Sequence, residues 1–420
     1  MGVQFYQHTS LPKMIKNICI QFTKIYCAFL IIIIISIGQM ALLEMQIKDP
    51  LERPHQIKYT DYTTILNYPT QEYNITTEDG YIINIIRIQA KNTTIQELGK
   101  PPVLMYFGLN CAIEVFSMNK EEQSPTFFVA NLGYDVWMIA NRGTLYSSGH
   151  VNLTQNDPEY WSFSWQEMAE YDFRSAFDFI YEKVGRKKIS TIGFSQGTAI
   201  LLAALADFPN YQQKITQMIL MGPTANIMNQ NSNAFTLGIK IGGAPLLKRL
   251  GISKLVDEYK LLYYGTKYLS TIAHFILSQI TDTDVTILNQ ERFQYFMATY
   301  PGGTSVQVYD HWQQLATETD QFRKYDYRNA TKNMIKYGSE VPPVYDLQNI
   351  KIPTHLFVGR YDRLGSPEDA KILYESLKLS SVNATMQMYD GGHLYFAIGR
   401  ETPFLQKLSQ MLLDQHQSDY

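Results

Sequence analysis

Residues Gly193-Phe194-Ser195-Gln196-Gly197 form a Gly-x-Ser-x-Gly pentapeptide between a strand-like run and a helix-like run. A sharp strand-to-helix turn of this kind lifts a serine hydroxyl clear of the backbone. Its glycines, Gly193 and Gly197, stand where side chains would collide with the neighbouring strand and helix. Lys188-Ile189-Ser190-Thr191-Ile192 reads as a short buried strand, and Thr198 to Leu205 as an apolar helix stopped by Pro209. That is the context the motif requires. The competing reading is a Gly/Ser turn that only joins a strand to a helix.

A serine hydroxyl is a weak nucleophile unless a base takes its proton during attack. The usual base is a histidine held in the right tautomer by a carboxylate. In an open parallel sheet such groups lie at the carboxyl ends of strands, in the chain order serine, acid, histidine. Asp362 fits the acid position, four residues past Val358 and just before a helix opened by Ser366-Pro367-Glu368-Asp369. His393 fits the base position, following a strand and Gly391-Gly392. His8, His55 and His416 fall outside the core pattern, His355 lies within a strand, and His274 and His311 lie in a long insertion. His150 remains a rival base. Asp390 is a rival acid, though it shares one short loop with His393. Acyl transfer also needs two backbone N–H donors for the oxyanion. Gln196 supplies one by its place after the serine, and Leu109, in the loop after the first parallel strand, is the candidate for the other.

The elements that must position these groups alternate. Asn74-Ile75-Thr76 and Tyr81 to Ile86 read as a hairpin about Asp79-Gly80. Val103 to Phe107 and Asp135 to Ile139 read as strands buried on both faces, Met218 to Met221 follows the Ser195 helix, and His355 to Val358 and Met386 to Tyr389 read as the last two strands. Apolar residues at Phe173, Ala176, Phe177, Ile180, Tyr181 and Val184 predict a helix ended by Gly185. The expected architecture is therefore α/β, a mostly parallel central sheet flanked by helices. Roughly 130 residues separate Met221 from Ile352, where a simple connection needs only a few. Helical patterns there (Leu247 to Ile280, Gln290 to Thr299, His311 to Thr319) predict an inserted, mainly helical cap. The expected organisation is 1–38 as a leader or anchor, 39–222 as the first part of the core, 223–345 as the cap and 346–420 as the rest of the core.

A net charge of -3, without a basic stripe interleaved with aromatics, gives nucleic-acid binding no support. Lys13, Lys16 and Lys24 precede an apolar run from Ile25 to Ile37, followed by the small residues of a signal-peptidase site. This favours a cleaved signal peptide and a secreted or lysosomal protein. The alternative is an anchor formed by residues 25–43. Cys19 and Cys27 lie in that leader, leaving Cys111 alone and no internal disulfide. Asn74, Asn92, Asn152, Asn329 and Asn383 carry the glycosylation acceptor pattern, consistent with secretory transit. No cofactor or metal is implied, and oligomeric state is not assigned.

The chain resembles the acid lipases, the family of gastric and lysosomal lipases and related steryl ester hydrolases, from about Tyr62 to Leu413. Tyr73 to Tyr81 looks like that family's opening hairpin. Gly133-Tyr134-Asp135-Val136-Trp137, Asn141-Arg142-Gly143 and Trp161-Ser162-Phe163-Ser164 are similar to its central region. Gly193 to Thr198 is similar to its elbow, Pro301 to Gln307 and His311-Trp312 to its cap, and Gly359 to Pro367 and Gly392-His393-Leu394 to its acid and histidine loops. The resemblance implies an α/β-hydrolase fold and a serine hydrolase acting on lipid esters at a lipid–water interface, with peripheral membrane contact. It implies Ser195 as nucleophile, Asp362 and His393 as its partners, and Leu109 and Gln196 as the oxyanion hole. Phe107-Gly108-Leu109 stands where the family usually has His-Gly-Leu, and Gly392-His393-Leu394-Tyr395 where it commonly has Asn-His-Leu-Asp. These departures bear on substrate choice and turnover more than on reaction type. A short-chain esterase or peptidase of the same fold, or an inactive lipid-binding homologue, are the alternatives.

Overall fold

The computed structural model describes residues 57–255, 274–275, 278–282, 284–380 and 383–418. The predicted leader, and the anchor alternative at 25–43, lie outside the described residues, as does most of the helical pattern between Leu247 and Ile280. Among the described residues, no helix is long and apolar enough to cross a membrane.

The strands are β1 (Thr70–Thr76), β2 (Tyr81–Ile88), β3 (Pro102–Tyr106), β4 (Asp135–Ile139), β5 (Gly149–His150), β6 (Ile189–Phe194), β7 (Ile215–Met221), β8 (Lys254–Leu255), β9 (Thr304–Ser305), β10 (Thr354–Gly359) and β11 (Ala384–Tyr389). The main sheet runs β1-β2-β4-β3-β6-β7-β10-β11, with β5 paired to β2. β1 and β2 form the antiparallel hairpin expected about Asp79-Gly80, and β2 joins β4 antiparallel. From β4 through β11 every pairing is parallel. Strands β3, β4, β6 and β10 are buried throughout, which explains the apolar runs Val103 to Tyr106, Val136 to Ile139 and Leu356 to Val358 within them.

The helices used below are α1 (Arg174–Lys183), α2 (Gln196–Asp207), α3 (Asn233–Lys240), α4 (Gly243–Arg249), α5 (Gln290–Met297), α6 (Val306–Thr317) and α7 (Pro367–Leu379). α2 is apolar on every side because it is buried all along its length against the sheet. The helix expected before Gly185 begins differently: Met168–Phe173 winds as a π-helix and only then continues as α1. There Asp172 meets the fully buried Arg142, whose guanidinium also bonds Asp79 and lies 3.9 Å over the Tyr81 ring. Ser366 caps α7 as expected, its hydroxyl accepting from the Asp369 N–H.

Helices α3 to α6 lie between β7 and β10, in the predicted cap stretch. The helical pattern from Leu247 breaks early, because α4 ends at Arg249 and Gly251 turns at φ 74° into β8, which pairs with β9. α5 and α6 match the other two predicted cap helices, with Ser305 capping α6.

Candidate active site

Parallel register sets the site at one edge of the sheet. Tyr106 of β3 pairs with Gly193 of β6, Phe194 with Met221 of β7, and Gly359 of β10 with Tyr389 of β11. The loops that leave these strand ends carry Gly108, Ser195, Asp362 and His393.

Ser195 sits at φ 53°, ψ -125°, a conformation that L side chains rarely adopt. Its backbone is held from both sides. The Ser195 N–H donates to the Met221 carbonyl at 3.0 Å. Its carbonyl accepts from the Thr198 N–H at 2.8 Å, the Thr198 hydroxyl at 2.6 Å and the Thr224 hydroxyl at 2.9 Å. The elbow glycines are steric necessities. A Cβ on Gly197 would lie 2.2 Å from the Tyr106 carbonyl oxygen, and one on Gly193 2.9 Å from Leu201 and 3.0 Å from the Gly197 carbonyl.

His393 joins the serine to the acid. Its Nε2 is 2.7 Å from Ser195 Oγ and its Nδ1 is 2.7 Å from Asp362 Oδ2. The other carboxylate oxygen, Oδ1, accepts the Leu364 and Gly365 N–H groups at 2.8 Å each, which fixes the orientation of the Asp362 side chain. Burial drives the His393 pKa down, but the charge and hydrogen bond of Asp362, helped by Asp282, outweigh it and leave the imidazole more basic than usual. An arrangement of this kind can pass a serine proton to Nε2 while a carboxylate steadies the resulting imidazolium.

The rivals are elsewhere. His150 Nδ1 receives the Asn152 and Leu153 N–H groups in the β5 turn, and its Nε2 faces the Asp79 carbonyl. Asp390 pairs with Arg360 at the surface.

Gly108 packs against the serine: a Cβ there would come within 2.8 Å of Ser195 Cβ and 3.2 Å of Oγ. The loop bearing Gly108 and Leu109 is fixed by residues that sequence reasoning missed. The Asn141 amide donates to the Gly108 and Phe107 carbonyls at 3.2 and 3.4 Å, the Asn110 amide to the Tyr309 hydroxyl, and the Gly302 N–H to the Asn110 carbonyl at 2.7 Å. Of these, Asn141 and Gly302 had a sequence signal, as part of Asn141-Arg142-Gly143 and of Pro301 to Gln307. The Gln196 side chain is engaged too, accepting the Trp312 indole N–H of α6 at 2.8 Å. Phe107 is buried edge-on against Phe116, which abuts Phe194, whose ring lies 5.3 Å from that of His393. Phe107 thus begins an apolar row of rings whose far end, Phe194, meets the histidine, a role that needs no polar side chain.

Among the described residues, no group of three or more His, Cys, Asp or Glu could hold a metal ion. The five candidate glycosylation asparagines, Asn74, Asn92, Asn152, Asn329 and Asn383, are all exposed.

An eight-strand path of this order, with a strained serine after the strand β6 and a histidine after the last strand, defines an α/β-hydrolase. Residues 59–120 match the model of a partial alpha/beta-hydrolase lipase region, and residues 116–243 that of the alpha/beta hydrolase fold. Human lipase member N is 32% identical over 343 residues, 80% of this chain and 85% of that protein. Rat gastric triacylglycerol lipase is 32% identical over 350 residues, 81% of this chain and 87% of that protein. A bacterial membrane phospholipase A shares the fold alone, with a TM-score of 0.51 and 11% identity over 94% of this chain and 99% of that one. The chain belongs to the acid lipase family.

Proposed function

We propose that the chain is a lipase that hydrolyses fatty acyl esters through a Ser195-His393-Asp362 triad. Ser195 Oγ attacks the acyl carbonyl carbon as its proton passes to His393 Nε2, and Asp362 holds the imidazole through Nδ1. The Leu109 and Gln196 N–H groups receive the negative oxygen. As the tetrahedral species collapses, the bond to the alcohol breaks and the departing oxygen takes the proton from Nε2. Water then attacks the acyl-enzyme and gives a proton to His393. The fatty acid leaves when Ser195 recovers that proton. The observation that carries this reading is the pair of 2.7 Å hydrogen bonds meeting at His393.

The substrate class is an ester of a long acyl chain, a triacylglycerol or a steryl ester. Support comes from the cap, where Leu237, Ile241, Leu250 and Phe275 are each at least 60% exposed, an apolar surface fit to rest on lipid. The protein enters the secretory pathway through its N-terminal apolar segment and is secreted or lysosomal. Exposure of all five acceptor asparagines supports glycosylation on that route. Assay of the protein and its Ser195→Ala variant on emulsified triacylglycerol, steryl ester and a soluble short-chain ester tests the proposal. Loss of all hydrolysis in a folded variant is expected. Activity that survives the substitution overturns the nucleophile, and cleavage of the soluble ester alone overturns the lipid assignment.

A further inference from the structure

A second carboxylate lies against the histidine loop, and the hydrolytic mechanism above does not use it. Asp282 belongs to the stretch between β7 and β10 but is fully buried. It reaches the site by a short antiparallel bridge to Asp362, extended by a 3.0 Å bond from the Arg363 N–H to the Thr281 carbonyl. Its Oδ2 accepts the N–H of Leu394, the residue after the histidine, at 3.4 Å. Its Oδ1 fills the space over Gly392, where a Cβ would sit only 1.6 Å away, and has no hydrogen-bond partner. Glycine before His393 is thus the condition for Asp282 to stand there.

We propose that Asp282 is a positioning residue for His393, a cap-borne carboxylate that holds the histidine loop and stabilises the imidazolium formed when Ser195 is deprotonated. The inference rests on the triad reading given above.

Among the described residues, the charged groups around Asp282 are few. Asp362 faces it from the acid loop and His393 from the histidine loop, while Thr281 on its own segment hydrogen-bonds it. Arg363 sends its guanidinium to the Asn231 carbonyl instead. Burial, with the neighbouring Asp362 charge, raises the Asp282 pKa to about 6, although Thr281, His393 and the Leu394 N–H pull it down. The Asp282 charge in turn makes His393 more basic. Above about pH 6 the imidazolium therefore has two anionic neighbours, and below it the cap withdraws one of them.

Asp282→Asn keeps the shape and removes the charge, and Asp282→Ser removes both charge and bulk. Each is compared with the wild type on a soluble ester from about pH 5 to 9, a range bracketing histidine titration. The expected result is a kcat several-fold lower with KM little changed. The acid limb of kcat/KM should move to lower pH by about half a unit or more, as loss of a nearby negative charge requires. An acid limb and kcat that stay in place in either folded variant overturn the proposal, even if thermal stability falls. In the unaltered protein, the downfield resonance of the His393 Nδ1 proton gives a test that needs no variant. Two transitions with pH are expected, and a single one overturns the proposal. Fluorophosphonate labelling of wild-type Ser195 separates the two readings. Unlabelled wild type sinks the triad itself, whereas labelled wild type with an unmoved acid limb sinks only the role of Asp282.

Discussion

Glycine and alanine at position 195 should differ in stability in the direction opposite to the usual one. Both remove the hydroxyl and its bond to His393, so that loss cancels between them. What remains is the backbone. At φ 53°, ψ -125° a residue with a Cβ carries strain of about 1–3 kcal/mol, and glycine carries almost none. Glycine also loses more freedom on folding, a cost of about 0.5–1 kcal/mol. The central values, about 2 kcal/mol of strain against about 0.75 kcal/mol of entropy, leave Ser195→Gly more stable than Ser195→Ala by about 1 kcal/mol, within about 0–2.5 kcal/mol for the full ranges. At an ordinary buried turn the sign would be reversed.

The strain persists because the carbonyl of Ser195 is gripped by the Thr198 N–H and by the Thr198 and Thr224 hydroxyls. Urea denaturation of the two inactive variants, followed side by side by circular dichroism, reads the difference as a shift in midpoint at equal slope. An alanine variant as stable as the glycine variant, or more so, would refute the claim that the elbow stores strain. Those three donors would then be decoration on a relaxed turn.

Three further outcomes follow from the same geometry. Asp362→Asn removes the acceptor at His393 Nδ1, and the rate of ester hydrolysis should fall by about 10⁴-fold while the protein remains folded; a loss under tenfold, measured by steady-state kinetics, would place the acid elsewhere. Because the Asp362 and Asp282 charges outweigh burial and raise the His393 pKa above 6.5, the neutral base is lost as pH falls through that raised value. The acid limb of kcat/KM for the free enzyme should therefore lie above 6.5, and a limb well below it would contradict the electrostatics. Gly197→Ala puts a Cβ 2.2 Å from the Tyr106 backbone oxygen, an atom that cannot swing aside, so β3 and α2 must separate. A loss of at least about 3 kcal/mol of stability is expected, at the upper end of the range for overpacking. Unfolding at an unchanged denaturant concentration would show that the elbow has room.

How much of this could be read from the residues depended on how far each one acts. Ser195, Asp362 and His393 were readable because each follows a strand of the parallel part of the sheet, and parallel strands bring their carboxyl ends to one edge whatever the intervening chain does. Contacts made across unrelated segments left no such trace. Trp312 on α6 and Gln196 in the elbow are 116 positions apart, and the periodicity of neither helix says that the indole N–H and the amide oxygen meet. Arg142 stood only within the Asn141-Arg142-Gly143 resemblance, and nothing local announces its burial between Asp79 and Asp172. Asp282 is the sharpest case. In Thr281-Asp282-Thr283-Asp284 the two acids are chemically the same and each adjoins Thr283. Yet Asp284 is exposed and turns back on the Thr286 N–H at 2.8 Å, while Asp282 is sealed against His393. No local rule separates them, because the difference comes from the bridge to Asp362 and from the missing side chain of Gly392, more than one hundred positions downstream. Gly392 was itself the unread signal. A glycine directly before a histidine reads as a loop residue, and only the packing reveals that it makes room for a second acid.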